Sequence, residues 1–223
     1  MVYSVYKETD YGTNLSTGPY SRSGLAEVVR DVINNPLAGS FHVVDFSAYR
    51  PSYEAPAAFV AAPIFSGFNL IGILAVQVPI DKINRVMSQD NDWEAAGLGK
   101  TGEAYLIGSD LSMRSQSRFL QEQPKRYKTL VRRNGTPKKS IELIEKLNTT
   151  IGLQKVENRA SQLALGGEKG IKVVKDYRGV DTLTAYGPLE LSGLDWAIMA
   201  QIDLGEAYQP LYSLQIKLLI AGV

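Results

Sequence analysis

Apolar positions along this chain follow two periods in turn, and their alternation lays out most of the elements. Leu25, Val28, Val29, Val32 and Ile33 recur at helical spacing behind Ser23, a helix-capping residue type, and Asn34-Asn35-Pro36 supplies a stop. A helix is predicted there. Three strand-like runs follow, Phe41–Phe46, Ala57–Phe65 and Leu70–Val78, joined by Tyr49-Arg50-Pro51-Ser52 and Ser66-Gly67-Phe68-Asn69. Short turn-rich connections of this kind predict an antiparallel meander. Pro56 and Pro63 bracket the middle run and suit its ends or an exposed edge, because proline cannot donate to a ladder. Ile80, Ile83, Val86 and Met87 then return to helical spacing.

A second series begins after Gln89-Asp90-Asn91-Asp92 and Gly97-Leu98-Gly99, which mark a boundary. Glu103–Ile107 and Met113–Ser117 read as a hairpin turned by Gly108-Ser109-Asp110-Leu111. The stretch from Pro124 to Lys139 carries seven Lys or Arg and reads as a solvated, mobile insertion. Helical runs are predicted at Ile141 to Leu147 and Val156 to Leu165, the latter ended by Gly166-Gly167. Strands at Ile171–Asp176, Thr182–Leu189 and Trp196–Ile202 make another meander, which leads into a helix from Glu206 onward. At the opposite end, Val2–Tyr6 alternates as a strand does, not as the apolar core of a leader peptide.

The two meanders are related. Pro63 matches Pro188 and Ala75 matches Ala200 at one offset of 125 residues, and the turn glycines Gly67 and Gly193 differ from it by one. Solenoid repeats run at about 20–50 residues, so this spacing predicts two copies of one β-rich module in tandem. An antiparallel sheet with helices gathered on one side is an α+β arrangement, and a small ligand can sit between the layers.

Composition narrows the chemistry. A hydrophobic content of 44% supports a real core, and a net charge of +1 gives no case for nucleic acid as a partner. With no cysteine a thiolate metal site cannot be assembled, and a single histidine excludes a multi-histidine site. Any Ser-His-Asp triad would have to rest on His42, which reads as lying on the exposed face of a strand. Glu8, Asp10, Asp90 and Asp92 fall in turns, where carboxylates are expected to be solvated. Gly97-Leu98-Gly99-Lys100-Thr101-Gly102 has the look of a phosphate loop, but Glu94 stands where its first glycine belongs and a strand pattern follows it. An inter-module turn is predicted instead, and no cofactor is implied. The candidate ligand site is a cluster in the first meander: Tyr20, Asp45, Tyr49, Ser52, Tyr53 and Phe59, with Gln77 at its far end. Rings, hydroxyls and one carboxylate together suit a small polar molecule.

Beyond the meanders themselves, several blocks carry a resemblance. These are Tyr6–Leu15 through Gly18-Pro19-Tyr20, Pro56–Phe65, Gly97–Gly108, Asp176-Tyr177-Arg178-Gly179-Val180 and Gly193-Leu194-Asp195-Trp196. Together they resemble the double Cache, tandem PAS-like sensor domains of bacterial transmembrane receptors, across nearly the whole chain except the basic stretch. The resemblance implies a membrane-distal module over 1–96, incomplete at its N-terminus because the stalk helix and first strand lie outside it, and a membrane-proximal module over 97–210. The apolar run 211–223 would begin a transmembrane helix, placing the sensor outside the inner membrane, in the periplasm or extracellular space. The implied function is non-enzymatic: a ligand binds the distal module and the signal passes to the membrane helix of a chemoreceptor, histidine kinase or nucleotide cyclase.

Amino-acid-binding members of that family use an Arg-x-Trp-Tyr element, a Tyr-x-Asp element and a later Asp. This chain has no Arg-x-Trp; Tyr49 matches the second element's tyrosine, but Pro51 and Gln77 stand where the acids belong. An α-ammonium group would lose its carboxylate partners, so the expected ligand is a small polar metabolite other than an amino acid. Two alternatives stay open at this point. One is a structural or homodimerising ectodomain without a ligand, and the other is a nucleotide-binding enzyme using Gly97–Gly102.

Overall fold

In the computed structural model, which describes residues 9–211 and Gln215, Ser23 opens the first helix as its position predicts. Its hydroxyl accepts from the Ala26 amide at 3.2 Å, and α1 runs over Gly24–Asn34. Leu25, Val28 and Val32 are buried along one face, while Ile33 turns outward. That face packs on an antiparallel sheet of β1 (His42–Tyr49), β2 (Ala55–Ser66) and β3 (Asn69–Gln77), in that spatial order. Ala57, Phe59 and Ala61 alternate along β2 and meet α1, as the period of two requires. Pro63 lies within β2, but β1 pairing stops at His42↔Ala61, so the strand is open on that side where proline stands. In β1, Val44 pairs with Phe59 and Ser47 with Ala57, leaving both Asp45 and Phe46 across from Ala58 alone. This is a β-bulge.

Two compact units result, Met1–Ile80 with Glu190–Leu194 and Asp81–Leu189 with Asp195–Val223. The second contains nearly all of α2 (Ile80–Ser88), followed by β4 (Glu103–Gly108), α3 (Arg118–Glu122), α4 (Pro124–Arg133), α5 (Lys138–Leu147) and α6 (Arg159–Leu165). Next come β5 (Gly170–Lys175), β6 (Asp181–Leu191), β7 (Leu194–Asp203) and α7 (Leu204–Ala207). Its sheet is ordered β4-β7-β6-β5, with β4 antiparallel to β7 and β5 antiparallel to β6. Tyr105, Ile107, Met113, Phe119, Ile144 and Met199 form the core against the helices. The expected α+β fold of antiparallel sheets flanked by helices is borne out. The repeat is visible as two hairpins, β2–β3 and β6–β7, each turning on a glycine at positive φ, Gly67 and Gly193.

Two expectations are corrected here. The basic stretch is no loose insertion: Pro124 starts α4, and Tyr127 and Val131, four residues apart, are both buried in the core. Five of its basic residues lie on the outer side of amphipathic α4, and Lys138 and Lys139 open α5. The hairpin after β4 shrinks to a single Ile107–Met113 bridge. Beyond it the Leu106 amide donates to the Ser115 hydroxyl at 3.0 Å, so a side chain takes the place of a ladder carbonyl. The strand expected at Val2–Tyr6 and the apolar run after Leu211, Gln215 apart, lie outside the described residues. Among the described residues no helix is long and apolar enough to cross a membrane.

α6 owes its start to a reciprocal cap in which Asn158 Oδ1 accepts from the Ser161 amide at 3.0 Å and the Ser161 hydroxyl accepts from the Asn158 amide at 3.1 Å. Replacing Asn158 by Ala is expected to cost about 1 kcal/mol, read as a lower urea midpoint with an unchanged slope.

Candidate functional site

The turn before α1 folds a carboxylate inward. Asp10 accepts at its carbonyl from the Thr13 amide at 3.0 Å and the Thr13 hydroxyl at 2.6 Å, which fixes the turn. Its side chain, expected to be solvated, is buried with only 3% of the residue exposed. Oδ2 accepts from the Tyr49 hydroxyl at the end of β1. Oδ1 is buried and has no hydrogen-bond partner among the described residues. Tyr49 in turn sets its ring edge-on to Phe59, with centroids 4.9 Å apart. The arrangement is an apolar, aromatic floor with one carboxylate oxygen left over. Buried polar atoms without partners are rare, because leaving one unpaired costs about 1–3 kcal/mol and more for a charged group. A donor, above all a cationic one, is what this oxygen can accept.

Of the residues singled out from sequence, Tyr49 and Phe59 are brought together here. Tyr20 is half-buried; its carbonyl accepts from the Ser23 hydroxyl at 2.7 Å, and its own hydroxyl lies 3.3 Å from Thr9 Oγ1. Asp45 sits in the bulge, where its Oδ1 accepts from the Phe46 amide at 2.7 Å. Ser52 is half-buried in a short 3-10 turn. Tyr53 projects into solvent, 88% exposed, from a left-handed backbone position. Gln77 is exposed at the end of β3, opposite Phe59 across the ladder. Asp10 was missed because turn carboxylates are usually solvated; its partner lies 39 residues away.

A second polar cluster occupies the core of the other unit. Glu103, fully buried at the start of β4, accepts at Oε1 from the Tyr177 hydroxyl at 2.6 Å and Gln201 Nε2 at 3.1 Å. At Oε2 it accepts from the Arg118 amide at 3.1 Å and the Ser117 hydroxyl at 3.4 Å. Burial raises its carboxyl to about 7, with the Arg178 guanidinium pulling the other way. Arg178 donates to Asp176 Oδ2 at 2.6 Å and Asp203 Oδ1 at 2.5 Å and lies 3.6 Å over the Phe119 ring. Each donor and acceptor named here has a partner, so this cluster is closed.

The glycine loop also finds its chemistry. Lys100 and Thr101 point their amides at the Glu206 carboxylate, each at 2.8 Å, and the Thr101 hydroxyl adds a bond of 2.5 Å. Gly99 is at φ 60, and a Cβ there would lie 2.5 Å from Glu206 Oε1. Backbone amides aligned in this way attract an anion. The anion they hold is the chain's own.

No family model matches the sequence, and no curated protein matches it. Solved structures similar to this chain include the ligand-binding domain of the Pseudomonas aeruginosa PAO1 chemoreceptor PctB in complex with L-Arg. The TM-score is 0.48 at 16% identity, covering 88% of this chain and 65% of that one. The corresponding domain of Pseudomonas fluorescens CtaA with L-leucine gives 0.45 at 9% identity, covering 86% and 62%. The periplasmic sensory domain of the Campylobacter jejuni chemoreceptor Tlp1 gives 0.48 at 16%, covering 82% and 57%. This chain thus spans less than two thirds of the length of each. Two are ligand-binding domains and one a periplasmic sensory domain of chemoreceptors, the kind of domain the sequence resembles, and the likeness carries no residue roles across. Two of them hold amino acids, which overturns the expectation of a ligand other than an amino acid. That expectation rested on Pro51 and Gln77 standing where acids were sought. Asp10, from another segment, puts a carboxylate beside Tyr49 after all.

Proposed function

We propose that the chain is the extracytoplasmic sensing part of a transmembrane receptor, and that its N-terminal module binds a small ligand carrying an ammonium or similar N–H donor. Amino acids fall within that class. The observation that carries the reading is the buried, unpartnered Oδ1 of Asp10 beside Tyr49 and Phe59. A carboxylate shielded from water binds a cation far more strongly than an exposed one. The modules are assigned to 1–96 and 97–210, with 211–223 leading into the inner membrane. Binding in the first module shifts a pre-existing equilibrium, and the C-terminal segment carries the shift onward to an output domain. The role is non-enzymatic. A nucleotide-binding role for Gly97–Gly102 is disfavoured by Glu206, which already takes the loop amides.

The test is a thermal-shift screen of amines, amino acids and matched non-amine analogues. A ligand at about 100 times its dissociation constant stabilises by about 2.7 kcal/mol. Asp10→Asn keeps an acceptor for the Tyr49 hydroxyl but not the charge, so it is expected to abolish the shift with amines. Its unliganded melting temperature should change little. A stabiliser that works equally on Asp10→Asn would place the ligand elsewhere, and silence across the screen would favour a structural, dimer-forming role.

A further inference from the structure

The closed cluster around Glu103 takes no part in that ligand site, yet it runs without a break to the start of α7. Arg118 is the joint. Its backbone amide donates to Glu103 Oε2 at 3.1 Å, while its guanidinium Nη1 donates to the carbonyls of Gly99 at 2.9 Å and Gly102 at 2.7 Å. The loop clamped by those two bonds is the one whose Lys100 and Thr101 amides hold Glu206. The Thr101 hydroxyl also accepts from the Asp203 amide at 3.1 Å, tying the last strand to the same loop. One residue thus touches both the buried carboxylate and the cradle of Glu206 in α7.

We propose that Glu103 and the Gly99–Glu206 latch form a proton-linked gate in the second unit, in which protonating Glu103 loosens Arg118 and releases Glu206. The gate stands whether or not the first unit binds a ligand. Its physical basis is that a bond from an amide to a carboxylate is roughly twice as strong as one to a neutral acid. Tyr177 and Ser117 are hydroxyls that can turn and accept instead, and Gln201 Nε2 has a second acceptor in Asp176 Oδ2 at 2.9 Å. The Arg118 amide can do neither, so the loss falls on it. The groups facing Glu103 are Tyr105 on its own strand and Asp176, Tyr177 and Arg178 from the β5–β6 turn. Arg118 faces it from α3, Tyr127 is coupled to it from α4, and Gln201 from β7. Asp203 lies one step away through Arg178. Burial holds the Glu103 carboxyl near 7, so its titration falls where a periplasmic or extracellular pH change can reach it.

Amide hydrogen exchange at Lys100 and Thr101, corrected for the intrinsic pH dependence of exchange, tests the gate in the whole chain. Protection is expected to fall about tenfold on acidification through the Glu103 midpoint, and Glu103→Gln should hold it at the low value throughout. A second arm leaves the core intact. Coupling is reciprocal, so Glu206→Ala must raise the Glu103 midpoint, followed by carboxyl NMR, by about one pH unit for a tenfold coupling. Protection that does not step with pH, a step that survives in Glu103→Gln, or a midpoint unmoved in Glu206→Ala overturns the proposal.

Discussion

Replacing Glu103 by Gln is expected to flatten the pH dependence of stability between pH 4.5 and about 7. Burial is the largest influence on this carboxyl and raises it, and the Asp176 charge adds to the rise. The folded protein therefore holds the proton more tightly than the unfolded chain does. Below pH 4.5 both states are protonated, and the contribution of Glu103 to stability is at its fullest. As pH climbs, the unfolded chain ionises first, and stability declines until the folded group also ionises near 7. A shift of this size corresponds to about 3 kcal/mol. Gln cannot ionise, so its profile across that window should be level while the wild-type one slopes downward in urea titrations. Carboxylates held low, Asp110 by Lys155 and Ser112 and Glu206 by the loop amides and Thr101, change stability only at more acid pH and with the opposite slope. A slope retained in Glu103→Gln would assign the titration to Asp176, which burial also raises.

Arg178→Met is expected to be the most damaging single change among the described residues. The guanidinium is buried between Asp176 and Asp203, and removing it strands the fully buried Asp176 carboxylate and takes a partner from the half-buried Asp203. Breaking a buried pair from one side costs about 3–5 kcal/mol, because the penalty is that of the charge left behind. Methionine keeps apolar contact with the Phe119 ring, so lost packing is a small part of the effect. In a chain of this size a loss of that order lowers the melting temperature by on the order of 10 °C. Adding Asp176→Asn to Arg178→Met should return part of the loss, since it removes one stranded charge. A change of less than about 2 °C in the single variant would mean that water screens the pair and that it carries little.

These residues also show how far the sequence can be read. α1 was legible from Ser23 and its apolar spacing, and both meanders were legible from alternation and turn glycines, because those signals are local. Glu103 and Tyr105 were legible as alternate positions of one strand, but not as partners of Tyr177 and Gln201 on other elements. Periodicity assigns a face, and only the folded chain assigns what lies across from it. The same limit hid Asp10, whose turn chemistry is ordinary and whose burial depends on Tyr49. The basic stretch misled for a different reason: its charge is conspicuous, while the two residues that anchor it, Tyr127 and Val131, are sparse.

The extra residue in β1 has a consequence for which side of the sheet Tyr49 occupies. In an unbroken strand, Val44 and Tyr49, five positions apart, would project to opposite sides. With Asp45 and Phe46 sharing one place on the ladder, the count between them becomes even, and Tyr49 comes round to the side of Phe59 and α1. A single added residue therefore acts as a parity change. It is what lets the hydroxyl of Tyr49 reach Asp10, and it makes the length of this strand, more than the identity of its residues, the condition for that pair to form.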